Sequence, residues 1–219
     1  MKRIMVAVPC REQIDVETVK CLQKLEKDMV LRKDLEVDVE FLVGTIIHDM
    51  RHKLAERAIE NNYDYVLWVD SDMIFDSDVL VDLLNDDKDI VTAVCFMRKA
   101  PYDPCIYSKM RMGLGTDENE IEKYHDYPRD KGLFEVEACG FAMILMKTKV
   151  LKQLLDTSGH IFFPVKSPNL ALGEDLSFCI RARRQGFRIW CDPKPKIGHI
   201  GKMFVDANSY WTMKEMTKK

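Results

Sequence analysis

Residues 65–75 read YVLWVDSDMIF, and this stretch decides the predicted fold. Its first five residues carry the β-branched and aromatic bias of a buried strand. They run directly into Asp70-Ser71-Asp72, which places two carboxylates where a central strand ends. Charged groups there lose hydration unless a cation or hydrogen-bond donors replace it, and ligands of open α/β sheets collect at this edge. The stretch therefore predicts a divalent-metal or phosphate site, with a simple capped turn as the alternative.

The composition bounds the class of protein. A chain of 219 residues with 47% apolar content can bury one sizeable core, so we expect a single domain. With 33 basic and 36 acidic residues the net charge is -3, so no global field draws the chain to nucleic acid or to an anionic membrane. No apolar run approaches the roughly 20 residues of a membrane-spanning helix, and the first apolar run is too short for a signal peptide.

Seven cysteines are scattered along the chain without a C-x-x-C pair. An odd, scattered set is typical of buried thiols in a reducing compartment, not of a disulfide framework or a zinc site. We therefore expect a cytoplasmic location.

Strand and helix patterns alternate three times before residue 70. Apolar runs at 4–8, 37–43 and 65–69 predict strands, and amphipathic helices are predicted between them. This alternation predicts an α/β fold with a Rossmann-like, mostly parallel central sheet flanked by helices. Residues 98–131 show little periodicity, and we interpret them as an excursion on the substrate side.

Three further features stand in a fixed order. Asp70-Ser71-Asp72 follows a strand, Gly173-Glu174-Asp175 opens a helix, and Gly198-His199-Ile200-Gly201 follows the last strand. In this order they resemble the GT-A fold glycosyltransferases, in particular the family-two-like enzymes that use nucleotide-sugar donors. The resemblance extends over most of the chain. It includes residues 173–193, GEDLSFCIRARRQGFRIWCDP, and Met50-Arg51-His52, which is similar to the family's Ala-Arg-Asn helix start except that His52 replaces the Asn.

The resemblance implies a metal-dependent glycosyltransferase with a nucleotide-binding half at about 1–97, an acceptor and catalytic half at about 98–201 and a tail at 202–219. Asp72 and His199 would be ligands of the metal. Asp70 would contact either the ribose or, through a water molecule, the metal. Mn²⁺ is favoured over Mg²⁺ because imidazole is a softer donor than magnesium prefers. A UDP-sugar is the donor that the family suggests. A loop histidine with a backbone partner is the alternative for His199.

Glu174 and Asp175 lie in the first turn of a predicted helix, where the helix dipole alone favours acidic residues. The resemblance implies that Asp175 is the general base for the acceptor hydroxyl and that Glu174 contacts the sugar or the acceptor. Inversion at the transferred sugar is slightly favoured, and retention stays open because a metal site completed by a histidine also occurs in retaining relatives.

The resemblance also implies a set of donor contacts. These are Pro9, Cys10, Arg11, Arg51, Asp70, Ser71 and Gly140. A planar guanidinium suits phosphate oxygens, and a glycine lets a sugar approach the backbone, although a β-bulge would also explain Gly140. Phe162 and Phe163 would stack on a sugar or belong to the core.

Two other functions stay open. A sugar-phosphate nucleotidyltransferase would carry a glycine-rich phosphate loop after the first strand, which Val8-Pro9-Cys10-Arg11-Glu12 does not provide. A non-catalytic carbohydrate- or nucleotide-binding module is not distinguished by sequence. The acceptor, whether a saccharide, a protein, a lipid or a modified nucleic acid, is equally open.

Overall fold

The computed structural model describes residues 1–111, 119–167, 170–201, 211 and 214–215, with the Ser167 side chain left out. The tail predicted at 202–219 therefore lies largely outside the described residues. The N-terminal third alternates strands and helices as predicted. Its elements are β1 (Lys2–Cys10), α1 (Val16–Val30), β2 (Leu35–Val43), α2 (Ile47–Glu60) and β3 (Tyr65–Val69).

The middle of the chain contains shorter elements. They are β4 (Met73–Phe75), α3 (Asp78–Asn85), β5 (Ile90–Ala93), β6 (Ile106–Arg111), β7 (Glu120–Lys123), β8 (Phe134–Val136), β9 (Ala138–Cys139) and β10 (Met143–Lys147). The C-terminal elements are α4 (Thr148–Ser158), β11 (Lys166–Ser167), β12 (Leu170–Ala171), α5 (Glu174–Arg184), β13 (Ile189–Asp192) and β14 (Ile197–His199).

A seven-stranded sheet forms the centre of the molecule, in the order β2-β1-β3-β10-β5-β13-β8. The strands β2, β1, β3, β5 and β13 run in one direction, and β10 and β8 run in the other. The mostly parallel α/β sheet that the sequence predicts is thus confirmed. Because β3 lies inside this sheet, its carboxyl end carries Asp70 to the edge where ligands of such folds bind.

The two faces of the sheet bury separate cores. Successive side chains of a strand point to opposite faces, so Met5 and Ala7 of β1 pack with α2, α4 and α5, whereas Ile4 and Val6 pack with α1 and α3. All five residues of β3 are buried, including Trp68 at 0% exposure. The result is a three-layer α/β/α arrangement that buries β3 at its centre.

The apolar run at 4–8 predicts a first strand that ends before Pro9. The observed strand β1 instead continues through Pro9 to Cys10. The Cys10 carbonyl accepts a hydrogen bond from Gly44 on the β2 side, so the nitrogen of Pro9 faces β3. Pairing between β1 and β3 already ends at Ala7 and Trp68. The missing N–H of proline therefore costs no ladder hydrogen bond.

Residues 98–131 contain β6 and β7, two strands that the sequence analysis did not predict. They form a small sheet in the order β7-β6-β9. Strand β7 is mostly exposed and β6 buries only Ile106 and Met110, so neither strand shows a regular apolar alternation. In the described ranges, no helix has both the length and the apolar character needed to cross a bilayer.

Candidate active site

A small two-stranded sheet brings the last motif to the first one. Strand β14 pairs antiparallel with β4, which sets His199 opposite Met73. The backbone N–H of Ile200 donates to the Asp72 carbonyl at 2.8 Å. As a result His199 Nε2 lies 3.1 Å from Asp72 Oδ1, although the two residues are 127 positions apart.

The orientation of the His199 ring is fixed from its other nitrogen. Nδ1 lies 3.0 Å from the carbonyl oxygen of Phe96, and a carbonyl only accepts, so Nδ1 carries the hydrogen. In the neutral ring Nε2 is then left with a lone pair directed at Asp72. Burial lowers the pKa of His199, but the hydrogen bonds to Asp72 and to Phe96 outweigh it and raise the pKa overall. A proton or a metal ion on Nε2 satisfies this arrangement equally well.

Asp70 completes a three-residue cluster with Asp72 and His199, whose ligand atoms all lie within 4.8 Å of one another. Two ligands bound at right angles about 2.1 Å from one metal are about 3 Å apart, which matches the separation of Asp72 Oδ1 and His199 Nε2. Burial raises the pKa of Asp70, although Arg51 opposes this effect. Burial also raises that of Asp72, but His199 and Arg98 outweigh it and lower the pKa overall. The cluster fits a divalent cation.

Arg51 joins this cluster to the start of α5. Its side chain is only 3% exposed; Nη2 donates to Asp70 Oδ1 at 2.8 Å and Nε donates to Glu174 Oε1 at 3.3 Å. The guanidinium carbon lies 5.1 Å from the ring centre of Phe141 and 5.7 Å from that of Trp68. Buried Nη1 has no hydrogen-bond partner among the described residues. The structure therefore places Arg51 between two carboxylates.

Asp175 is held at the first turn of α5. Its Oδ1 accepts a hydrogen bond from the Leu176 N–H at 2.7 Å. A Cβ added at Gly173 would lie 2.8 Å from that same oxygen, so any larger residue there would force the Asp175 carboxyl group to shift. Burial, and then the charge of Glu174, raise the pKa of Asp175 to about 6. A carboxyl group with this pKa can exchange a proton near neutral pH.

Gly140 lies beside the same carboxyl group. Its N–H donates to the Cys105 carbonyl at 2.8 Å, and a Cβ at this position would be 3.9 Å from Asp175 Oδ2 and 3.3 Å from Cys105 Cβ. Gly140 thus connects α5 with the segment that precedes β6.

The remaining predicted donor contacts line the carboxyl ends of β1 and β3. Cys10 is 4% exposed, and burial together with the charge of Asp70 raises its pKa. Arg11 is exposed immediately after β1. The Ser71 carbonyl accepts a hydrogen bond from the N–H of Asp15 at 2.9 Å. Register places Pro9 at the level of Asp70, because Ala7 pairs with Trp68.

Sequence reasoning missed Arg98, whose guanidinium forms an ion pair with Asp72 while 55% of its side chain stays exposed. Its position shortly after the apolar run at residues 90–96 was a usable signal, because residues that follow parallel strands share one edge. The open question about the two phenylalanines also has an answer. Phe162 is core at 0% exposure, whereas Phe163 is 54% exposed and meets the His48 ring edge-on at 5.6 Å.

The charges at this edge do not balance. The described residues bring together four carboxyl groups and two guanidinium groups, from Asp70, Asp72, Glu174, Asp175, Arg51 and Arg98. When these six groups are ionised and His199 is neutral, four negative and two positive charges leave them a net charge of -2, not counting exposed Arg11 at the end of β1. A divalent cation would neutralise it.

No family model matches the sequence, and no curated protein is similar to it in sequence. Solved structures are similar in fold. A197 from STIV matches with a TM-score of 0.55 and 17% identity over 94% of this chain and 97% of that chain. GalNAc-T7, in a structure with UDP, GalNAc and Mn²⁺, matches with a TM-score of 0.52 and 10% identity over 92% of this chain and 43% of that chain.

A third structure is 4-diphosphocytidyl-2C-methyl-D-erythritol synthase from Anaerococcus prevotii DSM 20548, with a TM-score of 0.47 and 8% identity over 100% of this chain and 97% of that chain. At identities this low, the first two matches establish the fold alone. The chain has a mixed α/β fold with a mostly parallel central sheet, consistent with the predicted GT-A or Rossmann-like fold.

Proposed function

We propose that the protein is a metal-dependent glycosyltransferase that moves a sugar from a nucleotide-sugar donor to an acceptor hydroxyl with inversion. The observation that carries the proposal is the 3.1 Å approach of His199 Nε2 to Asp72 Oδ1 at the carboxyl edge of β3. Two polar side chains that are 127 positions apart in the sequence meet there, beside a second acidic pair at the start of α5. A purely structural role would not require so many carboxylates at one edge.

Asp72 and His199 would hold the metal directly, with Asp70 as the third ligand or one water away. One carboxylate and one imidazole favour Mn²⁺, although Mg²⁺ could take the same place. The metal would act as a Lewis acid on the diphosphate of the donor. Phe96 would keep His199 in the ligating tautomer, because its carbonyl holds the hydrogen on Nδ1.

Asp175 would act as the general base. The acceptor oxygen attacks the anomeric carbon, its proton passes to the Asp175 carboxylate, and the bond to the diphosphate breaks with its electron pair on the departing oxygen. A pKa raised to about 6 keeps Asp175 ionised at neutral pH yet basic enough to take the proton. Glu174 would bind the acceptor or the sugar, and Arg51 would fix Glu174 relative to Asp70.

Donor binding would use the carboxyl ends of β1 and β3. Pro9 and Cys10 would border the base and ribose, and exposed Arg11 would reach the phosphates. Gly140 and Ser71 would let the sugar and the diphosphate approach the backbone. UDP is the first nucleotide to test, since GalNAc-T7, which shares the fold, has been crystallised with UDP, GalNAc and Mn²⁺. We also propose a cytoplasmic location, supported by seven free cysteines.

The test is release of a nucleoside diphosphate from UDP-, GDP- and dTDP-sugars with and without Mn²⁺. The proposal predicts release that requires Mn²⁺ and that falls by about 100-fold or more in Asp175→Asn, since a general base contributes about 100- to 10,000-fold. Asp156→Asn, an exposed aspartate of α4, serves as the matched control and should keep wild-type activity.

Two outcomes would contradict the proposal. A nucleotidyltransferase would instead release pyrophosphate from a nucleoside triphosphate and a sugar phosphate. A binding module would show a thermal shift with a nucleotide sugar but would release no diphosphate with any acceptor mixture.

A further inference from the structure

Two cysteines stand directly opposite each other next to the candidate metal centre. Phe96 and Pro104 form an antiparallel bridge, and the N–H of Cys105 donates to the carbonyl of Cys95 at 2.8 Å. In this register Cys95, which precedes Phe96, lies directly opposite Cys105, which follows Pro104. Side chains of directly opposed residues lie on the same face of a ladder.

The spacing of such a pair suits a disulfide. Opposed residues of a hydrogen-bonded antiparallel pair have Cα atoms about 5.5 Å apart, and disulfides span about 4.4–6.8 Å. Little backbone movement would therefore separate the dithiol from the disulfide.

Their unequal exposure sets the order of reaction. Cys105 is partly exposed, whereas Cys95 is 4% exposed. A small peroxide would oxidise the Cys105 thiol to a sulfenic acid and be reduced to water. The Cys95 sulfur would then attack the Cys105 sulfur, form the S–S bond and release the sulfenic oxygen as a second water, with both thiol protons accounted for.

We propose that Cys95 and Cys105 are an oxidant-sensitive dithiol, and that their disulfide weakens metal binding at Asp72 and His199. The inference rests on the proposed function for its second half. Cys95 Sγ lies 3.8 Å from His199 Nδ1, and the next residue, Phe96, supplies the carbonyl that holds this nitrogen at 3.0 Å. Drawing Cys95 Sγ to about 2.05 Å from the Cys105 sulfur would remove its contacts with His199 Nδ1 and with the Phe96 carbonyl that holds this nitrogen. Loss of such a partner of a ligating histidine costs about 10–100-fold in metal affinity.

The other described cysteines provide internal controls. Cys139 and Cys179 are neighbours, with Cys179 Sγ donating to the Cys139 carbonyl at 3.6 Å, but both are 0% exposed. Cys21 is partly exposed like Cys105, and its sulfur accepts a hydrogen bond from the N–H of Phe75 at 3.4 Å. Peroxide should therefore spare the first pair and give Cys21 no intramolecular disulfide.

The experiment treats the full chain with hydrogen peroxide, maps disulfides by mass spectrometry of unreduced peptides, and measures Mn²⁺ affinity by calorimetry. The wild type should lose two hydrogen atoms, yield a linked Cys95–Cys105 peptide and bind Mn²⁺ about 10–100-fold more weakly. Dithiothreitol should restore the affinity. Cys105→Ser should keep its Mn²⁺ affinity after peroxide, whereas Cys21→Ser should respond like the wild type.

The two proposals fail in different ways. Absence of the linked peptide under conditions that oxidise Cys21 would overturn the dithiol, and a linked protein with unchanged Mn²⁺ affinity would overturn its effect on metal binding. If the fully reduced wild type binds no Mn²⁺, the proposed metal centre is refuted, and with it the second half of this inference. The peptide map alone still decides whether the disulfide forms.

Discussion

Replacing Arg51 with methionine would leave the Asp70 and Glu174 carboxylates without their shared counter-ion. Removing one partner of a buried ion pair costs about 3–5 kcal/mol. Arg51 is 3% exposed and Glu174 16%, but Asp70 keeps 30% of its side chain exposed, so solvent screens part of the loss. We therefore expect about 3 kcal/mol of lost unfolding free energy, near the lower end of that range.

The assay is urea unfolding followed by circular dichroism. If unfolding is followed by heating instead of by adding urea, a loss of about 3 kcal/mol corresponds, for a domain of this size, to a melting temperature lower by about 6–12 °C. Arg57→Met is the matched control on the same helix, because Arg57 is 45% exposed and lies 3.5 Å from Glu40. An exposed pair of this kind contributes about 0–1 kcal/mol.

The stabilisation by Mn²⁺ should also differ between the wild type and Arg51→Met. Added Mn²⁺ should stabilise Arg51→Met more than it stabilises the wild type, because the mutant has one more uncompensated negative charge at the cluster. If Arg51→Met is no less stable than Arg57→Met, the carboxylates are not held by Arg51 and the described geometry of the site is wrong.

Three further predictions concern activity and metal binding. The pH profile of kcat/KM should rise through about 6 and level off above it, because Asp175 must be ionised to take a proton; a rise centred near 4 would exclude it as the base. Gly173→Ala should lower kcat by about 100-fold while the Kd for the donor stays within about twofold, because the new Cβ would lie 2.8 Å from Asp175 Oδ1; unchanged kcat would contradict this. Arg98→Ala should tighten Mn²⁺ binding by up to about fivefold in calorimetry, since an exposed ion pair with Asp72 contributes at most about 1 kcal/mol; weaker binding would show that Arg98 supports the metal.

Much of the fold follows from local patterns in the sequence. The wholly apolar run at 65–69 predicts a central strand, and the structure buries all five residues of β3 between two layers of helices. The position of Asp70 at the carboxyl edge follows from this strand alone. Local sequence could predict these features because a strand that is buried on both faces needs a continuous apolar run, and such a strand lies in the middle of the sheet.

That Asp72 and His199 would meet was predicted from the order of the motifs along the chain, and not from local sequence patterns. The β4–β14 pairing that brings His199 to Asp72 joins only three residues from each strand. Such a short, long-range pairing leaves no periodic signal. The partners of Arg51 were also hidden, because Asp70 and Glu174 lie 19 and 123 positions away from it. Contacts of this kind are set by tertiary packing, which a single sequence does not encode as a pattern.

The segment before β8 contains strands that the sequence pattern did not predict. Strands β6 and β7 are stabilised by backbone pairing and by surface ion pairs such as Lys109 with Glu122 at 3.2 Å. Their side chains are too exposed to produce the alternation on which strand prediction depends. Cys95 and Cys105 gave no signal either, because their pairing depends on a single isolated bridge at Phe96.

The most direct test of the metal centre is Mn²⁺ binding to the reduced protein, measured by electron paramagnetic resonance. We expect one tight site in the wild type, and affinities at least about 10-fold weaker in both Asp72→Asn and His199→Gln. Asp76→Asn, whose exposed carboxylate pairs with Lys24 at 3.0 Å, should bind as the wild type does. Wild-type affinity in both ligand variants, or no bound Mn²⁺ in the wild type, would contradict the claim that these two residues hold a common cation.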